Sequence, residues 1–496
     1  MSLDIAIIND EYEVRLSKVK HLRTLGIEPW PLDFPAITHT TDELKDLKSA
    51  VESLDFKDKI TLSGRILTKR IHGKAAFLNI QDKVGIIQIY LNQSEIGIEE
   101  FNLWEHTLDV GDIISVTGSL FITKVGELTI RVEKLILLSK SLHPLPEKFH
   151  GLTDIETRYR QRYLDLISNP EVKKKFIKRS AIISLIRQYL CENDYIEVET
   201  PMLHPILGGA AAKPFITHHN ALNSDFYLRI APELYLKRLI VGGYDRIFEI
   251  NRNFRNEGIS TRHNPEFTML EFYTAYQDFN YALTFVEQMI KYAVTKVCLD
   301  NKVQFGEHIL DFDSPFKRQT VSEAIIEYGG YKNSEISQDK IDDLLLKLKI
   351  KVVNKEATYG QKLFLLFEEV AEKKIIQPTF LIGFPIEVSP LAKRNKDNPN
   401  IADRFELFMA GMELANSFNE LNDPLDQAER FKDQVKAHAA GDEEAHHYDA
   451  DFIKALEYGM PPTVGVGIGI DRLVMCLTNS TTIKDIILFP TLKKII

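Results

Sequence analysis

Cysteine is scarce in this 496-residue chain. The three present, Cys191, Cys298 and Cys476, lie far apart in apolar or helical contexts. That spacing offers neither a disulfide framework nor a metal-ligand pair, and a reducing, cytoplasmic setting is expected. No apolar run approaches the roughly 20 residues a membrane helix needs, so no membrane partner is expected. The opening MSLDIAIIND has no basic stretch followed by an apolar one, and no secretory signal is expected from it. An excess of positive charge is also missing. Lys+Arg total 61 against 71 for Asp+Glu, a formal net charge of −10. Taken as a whole, the chain is not built like a nucleic-acid binder. Any RNA contact has to come from local basic faces.

What remains is an ordinary globular composition, 44% hydrophobic and 27% charged. The length exceeds one ordinary core, so two or more domains are expected.

The most informative stretch is Phe248 to Tyr276, FEINRNFRNEGISTRHNPEFTMLEFYTAY. Its arms alternate as strands do, with Glu249, Asn251, Asn253, Arg255 and Glu257 on one parity and Phe267, Met269, Glu271 and Tyr273 on another. A hairpin would present Arg255, Phe267, Glu271 and Tyr273 on one surface, beneath a loop carrying Arg262 and His263. A guanidinium fork suits carboxylate or phosphate, and a phenyl face can stack on a purine. Carboxylates beside a tyrosine suit an amine. Each residue alone is compatible with a sheet face turned to water; the set together favours a binding surface over that reading.

The segment FRNEGISTRHNPEF resembles motif 2 of the class II aminoacyl-tRNA synthetases, and its details are similar to the lysine-specific branch. The remaining chain is consistent with that resemblance. Residues 11–25 carry a rough helical stripe of Val14, Leu16, Val19, Leu22 and Leu25 with Arg15, Lys18, Lys20 and Arg23 around it. This predicts a solvated helix, or one that also touches RNA phosphate. From Ile60 to about Ser139 come five β-like runs, Ile60–Leu67, Ala76–Gln81, Ile86–Leu91, Ile113–Ile122 and Glu127–Leu138, separated by turn signals. They suit a small Greek-key barrel of the OB type. Such barrels bind single-stranded nucleic acid through basic groups and stacked aromatics. Lys69, Arg70 and Lys74 flank the first turn. On the residues alone, Phe77 as core and Gln88 as an exposed polar residue balance evenly against a role in nucleic-acid contact. The resemblance implies an anticodon reader, with Phe77 stacking and Arg70 and Gln88 contacting base or backbone.

Prolines at 144 and 146 break structure, after which RYRQRYLDL resembles the family's entry into the catalytic domain. Lys173 to Glu192 is an amphipathic helix, and YIEVETPML follows as a strand ending at Pro201. Helix, strand and proline resemble motif 1, which implies a homodimer. In LGGAAAKP, Gly209 allows close approach of backbone to a ligand, and a plain loop is an equal reading of the stretch by itself. In FYLRIAPELYLKR, Glu233 falls in a first helical turn, where a carboxylate also serves as a cap. The resemblance assigns Gly209 and Glu233 to the amino acid, Glu233 to its α-ammonium. Residues 280–378 carry helical patterns near 281–298, 320–328, 339–349 and 361–374 and correspond to an insertion with no chemistry assigned.

In DRFELFMAGMELANSFNELND, a turn at Ala410-Gly411 would pair Phe408 with Glu413. Glu406 would then be a diagonal neighbour of Glu413 on the same face, with Cβ atoms roughly 7 Å apart. Such a pair reads as two exposed glutamates or as holders of a hard divalent ion; the resemblance assigns both to Mg²⁺ and ATP. Asn416, Phe418 and Glu420 have the opposite parity. For all four to line one site, the strand must bulge between Glu413 and Asn416. His438, His446 and His447 have no consistent ligand face, and no metal is expected there. YGMPPTVGVGIGIDRLVMCL passes from a glycine-laced strand into an apolar helix headed by Asp471 and Arg472. Alone it is weak evidence. After motifs 1 and 2 it resembles motif 3.

The expected fold is α+β: an N-terminal helical segment (1–55), an OB barrel (56–141), a linker (142–164) and a class II catalytic domain (165–496) with an antiparallel sheet flanked by helices. The resemblance implies lysine activation by ATP followed by transfer to tRNA(Lys), with Mg²⁺ as cofactor. Arg255 would bridge the amino-acid carboxylate and the α-phosphate. Glu257 and Phe267 would hold adenine, with Asn264 near the nucleotide. Arg472 and His263 would neutralise the outer phosphates. Glu271, Tyr273, Asn416, Phe418 and Glu420 would form the lysine pocket. Aspartyl and asparaginyl enzymes share this architecture, but aspartate needs a cation where Glu271 and Glu420 stand. A lysyl-transferase acting on a translation factor would lack the barrel. A non-catalytic RNA-binding paralogue would not need Arg255, Glu406, Glu413 and Arg472.

Overall fold

A computed structural model describes residues 2–53, 55–146, 152–210, 212–352, 357–389, 391–439 and 448–494. His446 and His447 lie outside these residues, as does the side chain of His438. The chain forms two compact units, Met1–Thr153 and Asp154–Ile496.

The first unit opens with α1 (Ser2–Thr24). Its buried face holds Arg15, Val19 and Leu22, whereas Val14 and Leu25, expected on the apolar stripe, are about half exposed. Arg15 was expected among the solvated charges. Instead it donates to the carbonyls of Val110, Ser141 and His143 and pairs with Glu11. Five strands follow: β1 (Ile60–His72), β2 (Ala75–Gln81), β3 (Ile86–Asn92), β4 (Ile113–Ile122) and β5 (Leu128–Ser139). They close a barrel in the order β1-β2-β3-β5-β4, with β3 and β5 parallel. Burial alternates along β2 and β3, so one face makes the core with Leu62, Leu78, Ile80, Ile89 and Ile130 and the other faces out. Helices at Gln93–Ile96 and Ile98–Thr107, which the sequence pattern did not single out, add Phe101 and Trp104 to that core.

The second unit is built on an eight-stranded sheet. Its elements are α2 (Pro170–Glu192), β6 (Ile196–Glu197), α3 (Glu233–Val241), β7 (Arg246–Phe254), β8 (Glu266–Ala275), α4 (Phe279–Val297), β9 (Lys317–Thr320), β10 (Thr379–Ile382), β11 (Arg404–Met409), β12 (Met412–Asn419), β13 (Thr463–Gly469) and α5 (Ile470–Leu477). The strand order is β9-β10-β11-β12-β13-β8-β7-β6. Only the outermost pairs, β9–β10 and β6–β7, are parallel. Helices α2, α4 and α5 bury one face through Ile186, Met289 and Leu473 against Phe248, Leu270, Phe272 and Ile468. The alternate residues of the same strands face the other way, which is where a ligand can reach the sheet. Within 280–378, each helical pattern corresponds to a helix: α4, Val321–Gly329, Ile341–Lys347 and Tyr359–Val370. The last three share a separate core with Leu366 and Phe367 at its centre.

The β11–β12 hairpin turns at Ala410 and Gly411, both at positive φ (54° and 66°), as a two-residue turn demands. Its register pairs Phe408 with Glu413 and Leu407 with Ala415, leaving Leu414 unpaired. This is the bulge that the parity conflict required. It returns Asn416, Phe418 and Glu420 to the face that carries Glu413.

Candidate active site

A cavity of about 480 Å³ lies over the free face of the sheet. Its walls come from α3, the β7–β8 hairpin, the bulged strand β12, and β13 with the start of α5. Across the hairpin, Ile247 pairs with Tyr273, Glu249 with Glu271, Asn251 with Met269 and Asn253 with Phe267. Strand β7 ends at Phe254, but the Arg255 amide still donates to the Pro265 carbonyl at 2.8 Å, so the alignment continues into the loop. The cavity is lined by Gly209, Glu233, Arg255, Glu257, His263, Asn264, Phe267, Glu271, Tyr273, Glu413, Asn416, Phe418, Glu420 and Arg472. Glu406 is the exception. It is buried, does not line the cavity, and pairs with Arg404 Nη2 at 2.5 Å.

One end of the cavity is acidic. The Tyr273 hydroxyl donates to Glu271 Oε2 at 3.2 Å. Burial, with added repulsion from Glu233, pushes Glu271 up to about 8. Burial also raises Glu420 to about 8, against the attraction of Lys237. Glu420 Oε1 has no hydrogen-bond partner, although it is fully buried. A buried carboxylate oxygen left without a donor is costly, and an ammonium arriving from the cavity would satisfy it. Glu233, the first residue of α3, does not cap its helix; its Oε1 accepts from Lys237 Nζ at 2.6 Å. The same ammonium is in contact with Glu420 Oε2. Burial alone would lower the Lys237 pKa, but Glu233 and Glu420 outweigh it and hold the group charged. Phe418 lies 5.6 Å from the Lys237 ammonium, measured to its ring centre.

The other end is cationic. Arg255 lies over the Phe267 ring at 5.1 Å, and its Nε is buried without a partner. Burial lowers its pKa, while Glu257 and Glu413 draw it back. Arg472 donates to the Glu413 carbonyl at 2.6 Å and to His263 Nε2 at 3.0 Å. A nitrogen that accepts from arginine carries no proton, so His263 is neutral, with Nδ1 directed at Ser260 Oγ. Burial and Arg472 both lower its pKa. His263 was expected to add positive charge; it instead orients the arginine that does. Both amide atoms of Asn264 are engaged, with the Glu266 carbonyl and the Thr491 amide, so it fixes the loop and the chain end beside the cavity. Glu413 Oε2 is 3.7 Å from Arg472. The expected partnership of Glu406 with Glu413 is altered by Arg404, which holds one Glu406 oxygen and also donates to Asn416 Oδ1.

Three further residues shape this site and were not singled out from sequence. Lys237 lies behind the acidic end, Arg404 holds Glu406, and Gly465 gives Glu420 room. The signals were the i, i+4 spacing of Glu233 and Lys237, an arginine two residues before Glu406 on a strand, and a glycine within strand β13. Asp471 is structural: it takes Arg179 Nη1 at 2.5 Å and the Thr268 amide at 2.7 Å.

On the barrel, Phe77 pairs with Arg70 on one side and Tyr90 on the other, and Asn79 pairs with Gln88. Phe77 and Tyr90 rings stand 4.9 Å apart, Tyr90 and Phe121 5.9 Å, and Arg131 lies over Phe121 at 5.0 Å. The outer face therefore has a row of three half-buried rings, of which only Phe77 was expected. Gln88 is bonded to Glu127 and Thr129. Lys69 is not free: its ammonium donates to the Glu105 and Leu108 carbonyls at 2.5 and 2.7 Å.

Comparison with known proteins agrees with both units. Residues 60–138 match the OB-fold nucleic acid binding domain. Residues 154–493 match the family described as tRNA synthetases class II (D, K and N). A lysine–tRNA ligase of Carboxydothermus hydrogenoformans is 51% identical over 491 residues, covering 98% of each chain. One from Legionella pneumophila (strain Paris) is 50% identical over 496 residues, covering 98% of each. One from Methanoculleus marisnigri is 50% identical over 479 residues, covering 97% of this chain and 94% of its own. The antiparallel sheet with its bulged hairpin, the cavity with an acidic and a cationic end, and full-length matches at this identity converge on one conclusion: the chain belongs to the class II tRNA synthetases of the D, K and N group.

Proposed function

We infer that this enzyme is a lysine–tRNA ligase, which activates L-lysine with ATP and passes it to the 3′ end of tRNA(Lys), releasing AMP and pyrophosphate. The observation that carries the choice of lysine is the buried, unpartnered Oε1 of Glu420 beside Glu271 and Tyr273. An ε-ammonium satisfies these acceptors. An aspartate side chain brings no donor, and the neutral asparagine amide is two bonds shorter than the lysine side chain, so either would leave these acceptors unpaired, a strong form of discrimination for a polar pocket.

In this reading the α-ammonium meets Glu233 near Gly209, where φ 93° and the nearness of Ala231 and Glu233 to any added Cβ favour glycine. The ε-ammonium meets Glu420, Glu271 and Tyr273, with Phe418 and Asn416 closing the wall. The open Arg255 guanidinium takes the lysine carboxylate and the α-phosphate together. Phe267 stacks on adenine, with Glu257 and Asn264 beside the nucleotide. Arg472, held by His263, takes the γ-phosphate. A carboxylate oxygen of lysine then attacks the α-phosphorus, the bond to the bridging oxygen breaks, and pyrophosphate leaves. The terminal ribose hydroxyl of tRNA next attacks the adenylate carbonyl and AMP departs. No side-chain nucleophile is required; positioning and charge stabilisation supply the rate.

The residues present suit Mg²⁺. Glu413 reaches the cavity and would hold the ion with phosphate oxygens, and Glu406, buried beside the lining, keeps one oxygen outside its pair with Arg404 for a second bond. One or two carboxylates with substrate phosphates are an ordinary donor set for this ion, which when bound would offset phosphate charge. The outer barrel face, with Arg70, Phe77 and Gln88, is the proposed anticodon surface. Among the described residues no helix is long and apolar enough to cross a membrane; a cytoplasmic homodimer is the proposed working form.

The test is amino-acid-dependent ATP–pyrophosphate exchange without tRNA, with lysine, aspartate and asparagine side by side. Exchange with lysine alone is expected. Exchange with aspartate or asparagine would overturn the acidic-pocket assignment, and exchange with none, by folded protein that binds ATP, would overturn the catalytic reading.

A further inference from the structure

Resting on the lysine-activating reading above, we propose that Lys237 is a positioning residue that sets the length of amino acid the pocket accepts. The two carboxylates assigned to the two ends of the substrate belong to different elements. Glu233 opens α3, whereas Glu420 follows β12. One buried ammonium ties them together. Lys237 Nζ is 2.6 Å from Glu233 Oε1 and in contact with Glu420 Oε2, and the lysine side chain is 0% exposed. It does not line the cavity; Glu233 and Glu420 do. The ammonium thus sits behind the wall as a strut, and each carboxylate's spacing from the other is fixed by its bond to the same atom.

The triad suits a specifying role better than a stabilising one. Two carboxylates held against one ammonium in a buried site repel each other and, untied, would move apart or take up protons. A buried ionic triad is no better for stability than apolar packing of the same volume, so stability alone does not account for it. What the triad provides is a fixed separation between the group that would hold the α-ammonium and the group that would hold the ε-ammonium. A substrate one methylene shorter cannot reach both. Lys237 occupies the position on α3 from which both carboxylates are reached, one helical turn after Glu233, and Phe418 lies beside its ammonium.

The experiment compares wild-type full-length enzyme with Lys237→Met in ATP–pyrophosphate exchange, using lysine and ornithine, which is one methylene shorter. Circular dichroism and ATP affinity control for folding. For Lys237→Met, the lysine KM is expected to rise about tenfold or more. The lysine-to-ornithine ratio of kcat/KM should fall by about tenfold or more, within the range one methylene commands. The ATP KM should change less than about twofold. A purely structural role would lower kcat for both amino acids and leave their ratio intact; that result overturns the proposal. If Lys237→Met does not fold, Lys237→Gln, which keeps a donor amide near Glu233, is scored by the same ratio. Failure of both to fold assigns Lys237 to folding alone and also overturns the proposal. Wild-type enzyme without lysine-dependent exchange would instead refute the underlying function, a result read before any variant is measured.

Discussion

A Cβ placed on Gly465 would stand 2.0 Å from Oε1 of Glu420 and 2.6 Å from the Tyr273 ring. The glycine of β13 therefore leaves the space that Glu420 Oε1 occupies at the acidic end. A real methyl group cannot share that space, so in Gly465→Ala the Glu420 side chain has to turn away from the cavity. The expected result is a lysine affinity weakened by about 10- to 100-fold, the value of a lost charged hydrogen bond. ATP affinity should be unchanged. Calorimetric titration of each ligand checks the prediction; equal losses for lysine and ATP would contradict it.

Lysine binding should take its pH dependence from the acidic end, chiefly from Glu271. Glu271 is raised from an ordinary 4.5 to about 8, whereas Glu420 stays ionised against the Lys237 ammonium. A raised carboxylate favours the protonated folded state. Its contribution to stability is complete below the unfolded value of 4.5 and is lost as pH rises through about 8. An incoming ammonium reverses the preference, because it needs the ionised form. Lysine affinity should thus strengthen between pH 6 and 8, by up to about tenfold per unit for each proton released, and level off above. Titrations in buffers of different ionisation enthalpy should detect protons leaving on lysine binding near pH 7, and fewer in Glu271→Gln. A flat profile would remove the case for a protonated Glu271 in the free pocket.

His263 and Arg472 offer a prediction at the cationic end. The imidazole accepts from Arg472 Nη2 at 3.0 Å and is held below its ordinary pKa by burial and that arginine. His263→Ala removes an orienting acceptor but no charge. The ATP KM should rise about 5- to 20-fold, one modest hydrogen bond's worth, with the lysine KM unaffected. In wild type, protonation of His263 would break the same bond, so this loss should appear only below about pH 6.5. Loss of lysine affinity in His263→Ala would show that the two ends of the cavity are coupled.

How far such relationships can be read without coordinates depends on whether they are local. The β7–β8 hairpin was legible because a period of two sorts its residues in the sequence itself. The bulge at Leu414 was legible for the same reason, since Glu413 and Asn416 could not otherwise share a face. Lys237 was not. In ELYLKR it reads as one more solvated base on a helix, and its second partner, Glu420, arrives only when β12 is laid beside α3. Arg404 was hidden likewise: nothing in DRFELFM says which carboxylate it will hold. The basic residues of the first unit mislead in the opposite sense. Arg15 and Lys69 suit an RNA-facing surface, yet the fold uses both to satisfy backbone carbonyls. Which cations remain free is decided by where loops and helix ends fall, and no spacing rule records that.

The barrel supplies the remaining prediction. Phe77, Tyr90 and Phe121 form a continuous row flanked by Arg131, wider than a platform for one base. Stacking on an aromatic contributes about 1–3 kcal/mol per base, so Tyr90→Ala and Phe121→Ala should each raise the KM for tRNA in the charging reaction by about 5- to 100-fold. Neither ring belongs to the cavity-bearing unit, so exchange measured without tRNA should stay at the wild-type rate. All three side chains are only half buried and lie on the outer face, so their removal leaves the barrel core of Leu78, Ile89 and Ile130 intact. If Phe77→Ala alone impairs charging while the other two variants behave as wild type, the RNA contact is a single stacked base, and Tyr90 and Phe121 serve only to hold Phe77 in place.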